Sequence, residues 1–335
     1  MKKKAVFTII TCSIAALFLI FVLAIGLSED NFGFSRLAKE GKEGWAEAEG
    51  ETFEYTWDPE EVKISGLDID WINGKVEIKV GSGNLIRITE QPGSGTLSED
   101  DRLKLSSSGG ILKIQWDHQF RLISLGLFEN RRKDLVVEIP RFIAAAMTDL
   151  TCSNTSGDME INGFTAENLN ASSTSGNITL SNLRASETVE VDSTSGAILC
   201  DRVTAEETFH VNTASGSVTL TDIRAGKAEL NTISGRIAYS GRAEEFHGSS
   251  VSAAIRGEFA ACPEKVDLSS VSGGLTVALP ENQGFEVDYS SISGRFSSDF
   301  SVSGGMGTSG RALYSSGTAS FRFSTTSGDM QVLKR

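Results

Sequence analysis

A short phrase, Ser-Gly followed by an alternating apolar segment, recurs along the chain and limits its fold more than any other feature. Nine copies place their corner residue at Gly157, Gly176, Gly196, Gly216, Gly235, Ala253, Gly273, Gly294 and Gly328. Neighbouring corner residues lie 18 to 21 positions apart, except for a gap of 34 before the last. A nearly constant period of this length is typical of a repeat architecture.

Apolar residues keep fixed positions on both sides of the corner residue, from which positions are counted here. Position −7 holds Leu150, Leu169, Val189, Phe209, Ala228, Phe246, Val266, Val287 and Phe321, and position −5 holds Cys152, Ala171, Val191, Val211, Leu230, Gly248, Leu268, Tyr289 and Phe323. Position +2 holds Met159, Ile178, Ile198, Val218, Ile237, Ile255, Leu275, Phe296 and Met330. Position +4 is mostly apolar too. Alternation with a period of two predicts two half-buried strands in each copy.

A single copy cannot bury its apolar side alone. Stacking successive copies in parallel, about 4.8 Å apart, would close one continuous core and pair each backbone with its neighbours. The sequence therefore predicts an all-β fold, a parallel β-solenoid of about 20-residue coils with two strands per coil. A sandwich of antiparallel hairpins is the alternative, but hairpins do not require the same residue types in every copy.

Two degenerate copies of the repeat are expected N-terminal to the regular ones. Apolar residues flank Gly74 at the same positions, and a similar register surrounds Gly110. Asn73-Gly74 also fits a hairpin turn when it is taken alone. We interpret both glycines as corners of degenerate coils.

Insertions interrupt these degenerate copies. We expect one at residues 93–101 and another at residues 117–134, which carries a compact basic cluster, Arg131-Arg132-Lys133. Residues 135–140 then predict a strand that ends at a proline.

The N-terminus has a different character. Three lysines at positions 2–4 precede 23 residues, 5–27, without a charged side chain. A helix of that length spans about 34 Å, enough to cross a ~30 Å hydrocarbon core. The flanking charges predict a single-pass cell-membrane protein with a cytoplasmic N-terminus and an extracytoplasmic solenoid. A cleaved signal peptide is the alternative. The expected layout is a lysine stub and transmembrane anchor at 1–27, a stalk or linker at 28–61, a degenerate β section at 62–140 and regular solenoid repeats at 141–335.

Charge and residue types exclude several classes of function. The net charge of −13 argues against a nucleic-acid partner, because phosphate binding needs clustered Lys and Arg. The serines at position −1 have no histidine near them in sequence, and a nucleophile needs a base within hydrogen-bond reach. We expect a structural hydroxyl ladder at the corner, where glycine supplies a backbone shape that other residues resist. No catalytic residue, cofactor-binding residue, metal ligand or cofactor is predicted.

The four cysteines suggest no disulfide framework. Cys152 and Cys200 fall at apolar positions two coils apart, beyond the ~7 Å limit between Cα atoms for a disulfide. We interpret both as small buried apolar residues. Cys262 is expected in a turn, and Cys12 lies in the predicted membrane segment.

Position −6 is the one place where titratable residues line up. It carries Glu190, His210, Glu229, His247, Asp267 and Asp288. Stacking in sequence order would place carboxylates and imidazoles about 5 Å apart, within reach of a shared cation. The alternative, which we favour, is a solvated face on which opposite charges alternate.

The repeats resemble those of the bacterial putative-adhesin family of membrane-anchored domains of unknown function, which includes LiaG-like proteins. The pieces that carry the resemblance are residues 67–74, residues 134–140 and the copies from Ser156 to Gly294. It covers roughly residues 62–335 and departs from the pattern at Ala253 and in the Gly- and Ser-rich insertion before Gly328. The resemblance implies a β-solenoid outside the cytoplasmic membrane, mainly in Gram-positive bacteria, with roles in adhesion or envelope stress. It supplies no catalytic residues.

The expected function is that of a non-enzymatic cell-envelope surface protein, a scaffold for adhesion or binding outside the membrane. Its expected partners are the membrane itself and a cell-wall polymer, a surface glycan or a membrane protein. An accessory protein of an envelope-stress response, acting on a membrane partner through the stalk or the loop at Arg131 to Lys133, is the alternative. A polysaccharide-active β-helix enzyme fits less well, because Arg236, Arg256 and Arg295 do not recur beside paired carboxylates.

Overall fold

The computed structural model describes residues 52–58, 63–93, 97–116, 132–305 and 307–335. Within these residues nearly all regular structure is β-strand, as the repeat predicts. The predicted membrane anchor lies outside the described residues, as does the predicted stalk apart from residues 52–58. No helix in the described part of the chain is long and apolar enough to cross a membrane.

The strands fall into an N-terminal, a regular and a C-terminal section. The N-terminal section contains β1 (Phe53–Trp57), β2 (Gly66–Asn73), β3 (Val76–Gly81), β4 (Ile86–Pro92), a 3-10 turn (Glu99–Asp101), β5 (Lys104–Ser108), β6 (Ile111–Gln115), β7 (Lys133–Pro140) and the short helix α1 (Arg141–Ala144). The regular section contains β8 (Met147–Ser156), β9 (Met159–Asn162), β10 (Thr165–Ser173), β11 (Ile178–Ser193), β12 (Ile198–Thr213), β13 (Val218–Thr232), β14 (Ile237–Ser250), β15 (Ile255–Phe259), β16 (Lys265–Ser270) and β17 (Leu275–Leu279). The C-terminal section contains β18 (Gly284–Ser290), β19 (Phe296–Ser298), β20 (Ser303–Gly304), β21 (Ser309–Ser315), β22 (Ala319–Thr325) and β23 (Met330–Lys334).

The regular section stacks as predicted. From β11 to β14 each strand pairs in parallel with the next, so that Val189 lies beside Phe209 and Phe209 beside Ala228. The residues predicted at positions −7, −5 and +2 are all buried. These rows form one continuous apolar core along the stack. The predicted parallel solenoid and its core are therefore confirmed for this section.

Each regular coil has a second corner that we did not predict. The backbone bends at position +6, where φ is positive at Gly163, Asn182, Arg202, Asp222 and Gly241. A further buried segment follows each bend, with Phe164, Leu183, Val203 and Ile223 one residue on in the first four coils and Ala166, Ala185, Ala205 and Ala243 behind them. The strands β11 to β14 run from position +2 through this bend into the next coil. A coil therefore has three apolar sides, and the prediction of two strands per coil is corrected accordingly.

The N-terminal end contains the predicted coil around Gly74. Its strands β2 and β3 stack in parallel on β8 and β9, with Leu67 beside Leu150 and Val76 beside Met159. On their other side, β2 and β3 pair in parallel with β6 and β7. The coil around Gly74 thus lies between strands that follow it in sequence, and its identification as the corner of a degenerate coil is confirmed.

Gly110 is not a corner, and this prediction is wrong. Gly109 and Gly110 have φ values of 61° and 82° and join β5 to β6 as an antiparallel hairpin. Two consecutive residues with positive φ are what a two-residue type I′ turn requires. The apolar spacing around Gly110 looked like a coil because both strands of a hairpin alternate with the same period.

Antiparallel strands complete this end. β4 pairs with β7, and β1 pairs with β4. Strand β1 lies inside the segment that we expected to be a stalk. Its Tyr55 and Trp57 pack against the core, which explains why the sheet begins before residue 62.

The C-terminal end departs from sequence order. β22 and β23 lie between β16 and β17 on one side and β18 and β19 on the other. The copy of Gly328 therefore stacks on that of Gly273, and the copy of Gly294 lies outside both. The prediction that successive copies stack in order is wrong here. The insertion within the 34-residue gap forms the hairpin β20–β21, and β21 pairs with the edge of β18.

Candidate functional site

A hydroxyl group closes most corners from the inside. The side-chain oxygen at position −3 accepts a hydrogen bond from the corner N–H, for example Ser193 Oγ from Gly196 at 3.0 Å and Thr232 Oγ1 from Gly235 at 2.8 Å. The same contact recurs in the copies of Gly176, Gly216, Ala253, Gly273 and Gly294. Because the backbone satisfies these oxygens, they stabilise the bend.

The serines at position −1 face solvent and donate hydrogen bonds to the preceding coil. Ser195 Oγ donates to the Thr174 carbonyl oxygen at 3.1 Å, and Ser215 Oγ donates to that of Thr194 at 3.3 Å. The hydrogen-bond partners of the two described histidines in the solenoid are carboxylates and an asparagine amide, and none is a serine. The predicted structural hydroxyl ladder is confirmed.

Close stacking, more than unusual dihedral angles, requires glycine at the corner. A Cβ on Gly196 would lie 1.8 Å from the carbonyl oxygen of Gly176, and one on Gly216 would lie 1.8 Å from that of Gly196. Positive φ occurs only at two corner glycines, Gly74 at 126° and Gly157 at 132°. The expected reason, a backbone shape that other residues resist, is therefore wrong for most corners.

The outward side of the strands before the corner carries two adjacent rows of polar side chains, here called the polar face. Position −6 contributes Asn170, Glu190, His210, Glu229, His247 and Asp267, and position −4 contributes Ser172, Asp192, Asn212, Asn231 and Ser249. All eleven side chains belong to half-buried residues. The face is therefore a shallow, ordered surface with its polar groups partly open to solvent.

Hydrogen bonds along the stack hold the polar face together. Asn212 Nδ2 donates to Asp192 Oδ1 at 2.9 Å, and Asn231 Nδ2 donates to Asn212 Oδ1 at 3.1 Å. Ser249 Oγ then donates to Asn231 Oδ1 at 2.6 Å. Four coils are linked in this way, so each side chain is held in one orientation by its neighbours.

The two histidines occupy the predicted row but do not gather ligands. His210 Nδ1 lies 3.2 Å from Glu229 Oε2, and His247 Nε2 lies 3.1 Å from Glu245 Oε2. Across the described residues, no group of three or more His, Cys, Asp or Glu side chains is placed to hold a metal ion. Each histidine has one carboxylate partner, which suits alternating charge along a solvated face.

The predicted order of this row fails at its C-terminal end. Because β22 inserts there, Arg322 stands between Asp267 and Asp288. Arg322 Nη1 lies 3.6 Å from Asp267 Oδ2, whereas Asp288 is held by Arg311, whose Nε lies 2.7 Å from Asp288 Oδ1. Two carboxylates that were expected to be adjacent are therefore separated by a cation.

Two carboxyl groups of the polar face have pKa values shifted in opposite directions. Burial raises the pKa of Asp192, although the hydrogen bond from Asn212 and the nearby His210 oppose the shift. Burial also acts on Glu229, but Lys227 and His210 outweigh it and hold the pKa of Glu229 below its ordinary value.

The N-terminal end contains a buried ion pair. Lys133 Nζ lies 2.5 Å from Glu90 Oε1, and the two side chains are 2% and 0% exposed. The ammonium also donates to the Asp101 carbonyl oxygen at 2.7 Å and lies 4.2 Å from the centre of the Trp116 ring. Trp71 Nε1 donates to the Lys133 carbonyl oxygen at 2.8 Å. Such a pair persists in a core only when each charge has several partners, as it has here.

This ion pair removes Lys133 from the predicted basic cluster. Arg132 is exposed, but its Nε donates to Asp134 Oδ1 at 3.1 Å. Arg131 lies outside the described residues. The predicted basic cluster is therefore not a group of three exposed cations, because Lys133 is buried and Arg132 is paired with Asp134.

The central cysteines behave as interpreted. Cys152 and Cys200 are buried and unpaired, and burial raises the pKa of both thiols. Cys262 lies between β15 and β16, half-buried, and burial raises the pKa of its thiol to about 11. All three are protonated at neutral pH.

One feature of the coil had a readable signal that we did not use. An apolar residue, a polar residue and an alanine recur at the same period in Phe164-Thr-Ala166, Leu183-Arg-Ala185, Val203-Thr-Ala205 and Ile223-Arg-Ala225. These triplets mark the third apolar side. The buried ion pair had no such signal, because its partners are far apart in sequence and belong to no repeat.

Comparison with known families identifies the architecture. The family profile described as Toastrack DUF4097 matches residues 64–333, which is most of the chain. The chain belongs to this family. The resemblance to putative-adhesin domains of unknown function is thereby confirmed. Among curated proteins, none matches the chain.

Solved structures align with the Toastrack chain at low sequence identity. A putative adhesin from Bacteroides fragilis is 13% identical, with a TM-score of 0.40, over 85% of this chain and 97% of that one. A putative lipid binding protein from Parabacteroides distasonis is 14% identical, with a TM-score of 0.45 and the same coverage. A putative adhesin from Parabacteroides merdae is 13% identical, with a TM-score of 0.31, over 85% and 95%. At these values the alignments carry no conclusion about ligands.

Proposed function

We propose that this Toastrack chain is a non-enzymatic surface protein, anchored through residues 5–27 in the cell membrane, that binds an envelope or surface component with its polar face. The observation that carries the proposal is the chain of side-chain hydrogen bonds from Asp192 to Ser249. Side chains fixed before a ligand arrives lose little conformational entropy on binding. A ligand therefore gains most of the hydrogen-bond energy that the face offers.

The family supports a binding role. Solved relatives carry the names putative adhesin and putative lipid binding protein, and none of these names describes catalysis. In the polar face, His210 pairs with Glu229 and His247 with the neighbouring Glu245, while Glu190 and Asp192 accept hydrogen bonds from Asn170 and Asn212, so the face presents both donors and acceptors. Such a pattern suits hydroxyl-rich or amide-rich partners, for instance a glycan or a peptide backbone.

The alternative role in an envelope-stress response has less support from the fold. One of the two contacts expected for it, the loop at Arg131 to Lys133, has lost support because Lys133 is buried with Glu90 and Arg132 binds Asp134. The other, the stalk, lies outside the described residues apart from residues 52–58. Arg132 and Lys133 therefore offer a membrane partner little uncompensated positive charge.

A cell-attachment assay tests the proposal. Cells that express the full chain should attach to envelope material more than cells that lack it, and Asn212→Ala should reduce attachment at least about threefold. Asn212 contacts Asp192, Asn231 and His210, so its loss loosens the centre of the polar face. The matched control is Thr219→Ala, an exposed residue on the other outward side of the same coil.

Two results would count against it. Equal attachment with and without the chain would remove the binding role. Release of reducing ends from envelope polysaccharide by the purified full chain would instead show an enzyme.

A further inference from the structure

Two arginines stand side by side on the outward surface of the third side of the coil. Arg224 on β13 and Arg242 on β14 are register partners in the parallel ladder, where strands lie about 4.8 Å apart. Both are exposed. In the part of the chain that the structure describes, neither has a carboxylate within ion-pair distance. They are called the arginine pair below.

Arg184, which is in register with Arg224 two coils earlier, has the carboxylate partner that the arginine pair lacks. Arg184 is separated from Arg224 by Thr204, and its Nη2 lies 2.7 Å from Glu206 Oε1. The charge of Arg184 is therefore compensated within the solenoid. That of the arginine pair is not.

An adjacent pair of like charges elsewhere in the fold is neutralised by the chain itself. Glu77 and Glu160 are register partners on β3 and β9. Lys75 Nζ lies between them, 3.3 Å from one carboxylate and 2.9 Å from the other. Like charges opposite one another destabilise a sheet unless a counter-charge joins them. The arginine pair has the same need and no internal group to meet it.

The arginine pair also borders an open recess. It lines a cleft of about 150 Å³ together with Thr204, Glu206 and Glu244. Gly226 also lines the cleft, and the adjacent coil lies so close to it that a Cβ there would be 2.7 Å from the Glu206 carbonyl oxygen. Because Arg224 and Arg242 are both exposed and border the cleft, a small group can approach the two guanidinium groups together.

We propose that the arginine pair binds a carboxylate of an acidic saccharide, and that hydroxyl groups beside that carboxylate bond to Thr204 and Glu244. This proposal rests on the proposed surface-binding function and names the ligand class for one site. Planar guanidinium groups match a carboxylate with two parallel hydrogen bonds each. A single carboxylate between the two side chains can contact both guanidinium groups and offsets one of their two charges, which relieves the repulsion between them.

The carboxylates that line the cleft favour a ligand whose negative charges lie far apart. Glu206 and Glu244 repel a second anion placed within a few ångströms, and the chain as a whole carries a net charge of −13. The same carboxylates accept hydrogen bonds from hydroxyl groups. A saccharide in which acidic and neutral units alternate therefore fits better than polyphosphate, whose every unit is charged.

Calorimetric titration of the full chain tests the site. The probes are a hyaluronan oligosaccharide, in which uronate and neutral sugars alternate, a neutral chitin oligosaccharide of equal length, and inorganic phosphate. We expect binding of the first only, weakened at least tenfold by Arg224→Gln and by Arg242→Gln. Arg236→Gln, an exposed arginine at position +1, is the matched control and should leave binding unchanged.

A thermal melt without ligand distinguishes a binding role from a structural one. Relief of repulsion should leave the melting temperature of Arg224→Gln unchanged or raise it. A lower melting temperature, equal binding by wild type and both variants, or binding of phosphate alone would overturn the proposal. If the two variants bind the oligosaccharide normally while cells still attach, the site is wrong and the surface-binding function stands. If wild-type cells do not attach, the function itself fails.

Discussion

At the scale of single residues, backbone atoms of adjacent coils set the tightest constraint on the chain. From Gly157 onward, each corner glycine lies over the carbonyl group of the corner residue stacked beside it, at a distance that admits hydrogen but not carbon. The hydroxyl at position −3 accepts a hydrogen bond from the corner N–H and so holds the bend from the inside of the coil. The serine at position −1 donates to a carbonyl oxygen of the preceding coil, as Ser195 does to Thr174, so serine and glycine recur together at the corner.

A single methyl group at a corner should show this constraint. Gly216→Ala places a Cβ 1.8 Å from the Gly196 carbonyl oxygen, so two coils must separate. We expect it to lower the free energy of unfolding by about 3 kcal/mol, measured by urea denaturation. Gly83→Ala is the matched control, because its Cβ meets nothing closer than 4.0 Å, and it should cost almost nothing. Equal effects of the two substitutions would refute the close-stacking explanation.

At the scale of the element, the pairing of each strand with the next creates buried rows of side chains, and only some of these rows could be predicted from the sequence. Residues at positions −7, −5 and +2 were predictable, because period-two alternation and the 20-residue repeat both report on the same buried rows. The third side was not predicted, since its apolar residues are followed by alanine, which signals burial weakly. Its corner at Asn182, Arg202 and Asp222 has positive φ without glycine, so composition gave no warning.

The polar face gives a prediction about pH. Burial raises the folded-state pKa of Asp192 above its unfolded value of about 3.9, so the ionised form opposes folding once the pH exceeds the raised pKa. Asp192→Asn should therefore stabilise the protein at pH 7 by about 0.5 kcal/mol. The advantage should vanish below about pH 4, where both states carry a protonated carboxyl group.

Urea denaturation of both proteins between pH 3 and pH 8 measures this difference. Asp222→Asn, which removes an exposed charge from the same sheet, controls for the change in net charge. A stabilisation by Asp192→Asn that stays constant across the range would contradict the role of burial.

At the scale of the whole described solenoid, the order of coils in space differs from their order in sequence at both ends. The central coils follow the chain, because a short link can only reach the adjacent position. At the C-terminal end, the copies of Gly273, Gly294 and Gly328 carry nearly the same pattern, so no local feature says which is next to which. The 34-residue gap was the one hint, and Gly110 shows how a local hairpin can imitate a coil.

Removal of the last copy should therefore affect more than the last copy. Deletion of residues 319–335 takes β22 and β23 from between two pairs of strands. We expect hydrogen exchange to show lost amide protection in β18 and β19 as well as at the exposed edges of β16 and β17. Protection in β10 to β13 should persist. Intact protection of β18 and β19 in the truncated chain would mean that these strands pair elsewhere.

The two closed ends also bear on how such a protein changes length over evolution. Each end is built from strands that are threaded between other strands, so a coil added there would disturb several pairings at once. A coil inserted between β10 and β13 would meet neighbours with the same corner, the same buried rows and the same connecting segments as its own. We therefore expect relatives to differ in length by whole coils in the middle of the stack and to keep the threaded ends as fixed units. The length of the stack would then be set by how many central coils lie between them.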